Sequence, residues 1–111
     1  MKPPVIRDAF TYMDIGEGYV FKEDEAEIIE SNVLKLRKGQ SSSLGCHDDE
    51  EEVYVVLSGE GEVRIGDIVQ KTKPGTVMYI PRDAEHISTG MSEEDYIYLC
   101  VAVYLKKAPA L

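Results

Sequence analysis

The sequence predicts an all-β domain, and three observations carry that reading. Apolar runs of five to ten residues recur along the chain, Gly, Pro, Asp and Ser punctuate them, and no segment keeps a helical period over three turns. The predicted strands cover residues 9–13, 19–22, 26–37, 41–47, 52–58, 61–65, 68–72, 76–80, 86–89 and 96–106.

The first three runs supply edge or outer strands, and the motif-bearing core of the domain spans residues 39–106. Ser58-Gly59-Glu60-Gly61 and Ile65-Gly66-Asp67-Ile68 each fit a tight hairpin, since glycine accepts positive φ, so 52–58, 61–65 and 68–72 read as consecutive antiparallel strands. Lys73-Pro74-Gly75 closes that meander, and Pro81-Arg82-Asp83-Ala84 breaks the strand that follows. In the last run Tyr96, Tyr98, Cys100, Ala102 and Tyr104 alternate with Ile97, Leu99, Val101, Val103 and Leu105. Neither face is polar, so both need cover. One face is expected to line a barrel interior. The other packs on residues 1–37 of the same chain or on a second copy, and a homodimer is expected.

A length of 111 residues fits one domain spanning 1–111 with a core large enough to fold without a disulfide or structural metal. Twenty-one acidic against 12 basic residues, a net charge of −9, disfavour nucleic acid and anionic membrane surfaces as partners. No window has the length of apolar sequence that a membrane helix requires, and the first eight residues lack the apolar core of a signal peptide, so a cytoplasmic location is expected. The two cysteines, Cys46 and Cys100, lack metal-knuckle or redox spacing and read as reduced thiols. Cysteine nucleophiles, phosphate-binding glycine loops and serine elbows find no support.

Two stretches concentrate the chemistry: Gly39-Gln-Ser-Ser-Ser-Leu-Gly-Cys-His47 running on to Glu52 and Gly59, and Gly75-Thr-Val-Met-Tyr-Ile-Pro81 followed by His86. Their spacing resembles the two motifs of the cupin family. The first runs Gly, five residues, His-x-His, three or four residues, Glu, six residues, Gly; the second runs Gly, five residues, Pro-x-Gly, two residues, His, three residues, Asn. Gly39, His47, Glu52 and Gly59 fall on the first frame, and Gly75, Pro81 and His86 on the second. Three positions depart from it: Gly45 stands where the first motif histidine would be, Asp83 replaces an internal glycine, and Gly90 replaces the closing asparagine.

The resemblance implies a jelly-roll β-barrel with a divalent metal, Fe, Mn, Ni or Zn, at its mouth, held by His47, Glu52 and His86. The usual quartet is short by one imidazole, and two imidazoles with one carboxylate form the ligand set of a facial triad with open positions. Strand alternation sends Cys46 to the face opposite Gly45 and His47, so it does not replace the absent ligand. A buried Glu52 requires a cation or a donor, because an unpaired carboxylate in an apolar barrel costs several kcal/mol. Gly45 leaves room for a ligand, and Gly45→His is the expected way to complete a four-ligand set. Tyr54 and Tyr79 are expected to line the cavity and bind substrate, with Glu50 and Glu51 solvated at the rim. Two functions follow: a metal-dependent enzyme acting on a small organic acid or sugar derivative, or a noncatalytic small-molecule-binding or sensor module with a degenerate metal site. The reaction class, whether oxygenase, isomerase or decarboxylase, is left open.

Overall fold

In the computed structural model, which describes residues 2–13 and 17–105, two antiparallel sheets face each other and form a jelly-roll barrel. The strands are β1 (Glu17–Phe21), β2 (Ile29–Leu36), β3 (Glu50–Ser58), β4 (Gly61–Ile65), β5 (Ile68–Thr72), β6 (Val77–Ile80), β7 (His86–Gly90) and β8 (Tyr96–Tyr104). One sheet is ordered β1-β2-β8-β3-β6 and the other β5-β4-β7. The expected meander is corrected: its second hairpin forms as β4-β5, but between β3 and β4 the chain crosses from one sheet to the other, β3 pairing with β8 and β6 and β4 with β5 and β7. At that crossing Gly59 has φ +69°, and a Cβ there would stand 2.3 Å from the Asp95 carbonyl oxygen, so both conformation and space demand glycine.

Two expected strands are corrected. Residues 9–13 hold a single helical turn, α1 (Ala9–Tyr12), because the Asp8 carboxylate accepts from Phe10 N at 3.0 Å and caps it. Residues 41–47 form no regular strand. They follow β7 through isolated bridges, Ser41 to Thr89 and Gly45 to His86, with Lys38 bridging Gly90 just before. Gly39, at φ +80°, turns the chain out of β2 before this segment. The long run 26–37 becomes a strand only from Ile29, since a 3-10 turn (Glu23–Glu25) is closed by Lys22 N donating to Glu25 Oε1 at 3.0 Å. The end of the last expected strand, residue 106, lies outside the described residues.

Pairing across β2, β8 and β3 aligns inner side chains in rows: Glu30, Ala102 and Glu52; then Asn32, Cys100 and Tyr54; then Leu34, Tyr98 and Val56. The barrel is thus apolar at one end and polar at the other. Leu36, Tyr96, Tyr98, Val56 and Val63 fill the apolar end, and the Tyr96 hydroxyl meets Thr72 Oγ1 at 2.7 Å, tying the two sheets together. Truncating one of these large buried side chains costs about 3–5 kcal/mol. On the outer face of β8, Ile97 and Leu99 are covered within the chain by Ala9, Met13, Val20, Phe21 and Val33. That cover is partial, for Val53, Val77 and Tyr79 on the outside of β3 and β6 stay exposed. Among the described residues no helix is long and apolar enough to cross a membrane.

Candidate functional site

His47, Glu52 and His86 come together at the polar end of the barrel from three separate elements. Glu52 shares the inner face of β3 with Tyr54 and Val56, and only 7% of it is exposed. His86 opens β7 and is buried. His47 precedes β3, where its carbonyl accepts from Asp83 N at 2.7 Å. Asp83 has φ +69°, which explains why glycine suits that position in the motif and why an aspartate, more tolerant of left-handed backbone than most residues, can stand there.

One ligand atom from each of the three lies within 4.8 Å of the others. Glu52 Oε1 stands 3.3 Å from His86 Nε2 and 3.5 Å from His47 Nε2. Four-coordinate metal bonds of about 2.1 Å at tetrahedral angles separate ligand atoms by about 3.4 Å, so this spacing fits an ion.

The far sides of these groups are held. His86 Nδ1 lies 3.0 Å from the Ala84 carbonyl oxygen; a carbonyl only accepts, so Nδ1 carries the proton. His47 Nδ1 is 3.2 Å from Glu50 Oε1. The Cys100 thiol donates to Glu52 Oε2 at 2.8 Å. These are the supports that orient metal-binding imidazoles and carboxylates. Among the side chains of the described residues, Glu52 Oε1 alone is buried without a hydrogen-bond partner. With Nδ1 protonated, a neutral His86 presents the Nε2 lone pair to a carboxylate oxygen, which is repulsive. A proton or a metal cation between them removes the repulsion.

The titration behaviour agrees. Burial opposes a charged His86, but the contacts with Glu52 and the Ala84 carbonyl and the nearby Glu50 charge outweigh it and raise the ring's pKa. Burial likewise opposes ionised Glu52, yet His86, the Cys100 thiol and His47 hold its carboxyl below the usual value. Glu50 is pushed up to about 7, by burial first and then by the charges of Glu52 and Asp49.

The triad opens on a cavity of about 500 Å³, lined among others by Tyr54, Tyr98, Gln40, Ser42 and Asn32. Tyr54 is there as expected, edge-on to His86 with ring centroids 6.0 Å apart. Tyr79 is not. Its pairing with Val53 turns it to the outside of the sheet, 58% exposed, where its hydroxyl donates to Glu51. Gly45 lines the cavity without leaving a vacancy, because a Cβ there would fall 2.6 Å from His86 Nε2; the His86 ring fills the space expected for a ligand. Glu50 is not a solvated rim residue, since its side chain is 11% exposed and faces His47. A period of two from Glu52 was the signal, obscured by the acidic run around it. The sequence assigns Cys100 to one of two apolar faces of the last strand and reads it only as a reduced thiol. Neither cysteine is in a disulfide, Cys46 being exposed and Cys100 buried.

The Cupin domain family model matches residues 32–102. No curated protein sequence matches the chain. Among solved structures, a conserved protein with a double-stranded β-helix domain from Klebsiella pneumoniae is similar at TM-score 0.82 and 19% identity, over 96% of this chain and 95% of its own. A Thermus thermophilus protein is similar at 0.76 and 22%, over 89% and 96%. A predicted oxalate decarboxylase from Thermotoga maritima is similar at 0.74 and 23%, over 80% and 79%. At these identities the structures speak for the fold. The family model, the two-sheet barrel and the inward His-Glu-His group converge on one conclusion: the chain belongs to the cupin family.

Proposed function

We propose that the protein is a metal-dependent small-molecule enzyme whose divalent ion, Fe, Mn, Ni or Zn, is held by Nε2 of His47, Nε2 of His86 and Oε1 of Glu52. The observation that carries this reading is the buried, unpartnered Oε1 between two imidazole nitrogens whose far sides are anchored. Bound there, the ion supplies Lewis-acid or oxygen-activating chemistry. The chain's own residues do the rest. The Ala84 carbonyl and Glu50 fix the ring orientations, and Cys100 engages Oε2 so that Oε1 faces the site. Tyr54, whose pKa burial raises far above the ordinary tyrosine value, keeps its proton and offers a donor to whatever enters. A small organic acid or sugar derivative suits the cavity volume, and the Thermotoga relative's description as a predicted oxalate decarboxylase is in keeping with such chemistry.

Untagged protein is expected to retain about one equivalent of divalent metal by elemental analysis, and Glu52→Gln to retain less than about a tenth of that. Equal, substoichiometric contents in both overturn the reading.

A second reading, a noncatalytic binding or sensor module, is favoured by Gly45, because the fourth imidazole of the family quartet is absent and His86 occupies its place. Full metal loading with no turnover across a substrate panel selects it. The exposed Val53, Val77 and Tyr79 support a homodimer built on the outside of β3 and β6. The two thiols, neither of them in a disulfide, suit a reducing cytoplasm.

A further inference from the structure

The row Glu30, Ala102, Glu52 crosses the inner face of the sheet from β2 through β8 to β3. Adjacent strands lie about 4.8 Å apart, so the two carboxylate-bearing backbones are separated by about 10 Å with only an alanine methyl between them. Glu30 lines the same cavity as the histidine-glutamate group. The Tyr104 hydroxyl hydrogen-bonds to it. The described residues that line this cavity include three glutamates, Glu30, Glu50 and Glu52, and two histidines, but neither lysine nor arginine.

Beyond Glu30 and Tyr19 a second, shallower hollow of about 640 Å³ brings in Lys2 and Lys22, outnumbered by Glu23, Asp24 and Glu27. Lys2 Nζ is engaged by the Asp24 carbonyl. The approach and the interior are therefore both acid-rich. At the Glu30 end, away from the proposed ion, a carboxylate or phosphate meets like charge and no lysine or arginine of the lining, whereas an ammonium meets opposite charge. The net charge of −9 draws cations toward the molecule and repels anions. At the far end, Glu52 Oε1 is aimed into the cavity from a side chain more than nine-tenths buried and has no hydrogen-bond partner, which independently marks a site for a ligand.

We infer that the cavity takes a small cationic ligand, an amine that also carries a hydroxyl or carbonyl oxygen, with the oxygen directed at the His47, Glu52 and His86 end and the ammonium seated against Glu30 above Ala102. This rests on the metal site proposed above and, of the substrate classes named there, favours an amino-bearing sugar derivative over a dicarboxylate, whose second charge would face Glu30; the discriminating residue is Glu30.

Three probes of equal length separate the possibilities: aminopentanol, pentanediol and hydroxypentanoate, titrated into zinc-loaded and metal-free protein by ligand-observed NMR. Aminopentanol is expected to bind roughly tenfold more tightly than pentanediol, with hydroxypentanoate weakest in the metal-free protein, where no ion can take its carboxylate, since one charge-assisted contact distinguishes them. Glu30→Gln erases the amine's advantage, Glu30→Lys transfers it to hydroxypentanoate, and Glu30→Gln leaves zinc uptake unchanged. The inference is overturned if hydroxypentanoate binds the metal-free wild type most tightly, if Glu30→Gln keeps the amine preference, or if aminopentanol does not bind at tens of millimolar. Zinc uptake without amine preference removes this inference alone. Amine preference without zinc uptake removes the metal reading and leaves the Glu30 contact standing.

Discussion

Replacing Gly45 by alanine tests the packing on which the site depends. A Cβ at this position stands 2.6 Å from Nε2, 2.9 Å from Cε1 and 3.3 Å from Cδ2 of His86. Ordinary contact begins at 3.4 Å, so Nε2 must withdraw by about 0.8 Å. The ring has little freedom to do so. It is buried, its Nδ1 is held by the Ala84 carbonyl, and its backbone exchanges two 2.9 Å hydrogen bonds with Gly45 itself. Metal-ligand distances tolerate about 0.2 Å, so the displacement is several times what the site can absorb. Gly45→Ala is therefore expected to weaken zinc binding at least tenfold and to destabilise the metal-free protein by about 1–3 kcal/mol through overpacking. Competition with a chromophoric chelator reads the first effect, and thermal unfolding without metal reads the second. Gly45→His, which the motif frame suggests as a repair, begins with the same Cβ and is expected to bind no better than alanine. Wild-type affinity together with wild-type stability in Gly45→Ala refutes this account of the glycine.

Metal-free protein should lose stability as pH rises from about 5 to 8. Glu50, pushed up to about 7, and His86, also raised, both hold protons in the folded chain that the unfolded chain releases at lower pH. Glu52, whose pKa is depressed, acts oppositely and only in acid, its contribution fading as pH falls through its folded value. Thermal melts across that range should show the decline, and Glu50→Gln should flatten it; a melting temperature that rises with pH contradicts the assignment. Cys100→Ala removes the donor to Glu52 Oε2 and should weaken metal binding roughly 10–100-fold, with Cys100→Ser restoring most of it, as read by the same chelator competition. Unchanged affinity in the alanine variant denies the thiol an orienting role. Val77→Glu, on the exposed outside of β6, should convert a dimer to a folded monomer in sedimentation velocity, whereas a monomeric wild type removes the dimer altogether.

Much of the fold was legible because turn chemistry is local. Glycine and proline between short apolar runs located β3 through β7 to within two residues at every boundary, and a period of two put Tyr96, Tyr98, Cys100 and Ala102 on one shared face. The same period puts Glu50 and Glu52 on one face, although the surrounding acidic run disguised it as a solvated edge. Residues 9–13 failed because a single aspartate cap turns a short apolar segment into a helical turn as readily as flanking strands make it β. Residues 41–47 have strand composition but only isolated bridges to β7.

By itself, then, the amino-acid sequence determined where most strands and turns fall along the chain and which side chains share a face, since those depend on neighbours along the chain. Only the tertiary structure decided that Tyr79 faces outward, that Glu30 lies across Ala102 from Glu52, and that the place of the missing histidine is filled by His86, 41 residues farther along. The physical reason is register: a period of two says that a side chain leaves one face or the other, but which face is the inside, and what it meets there, depends on how distant strands align and how the two sheets close.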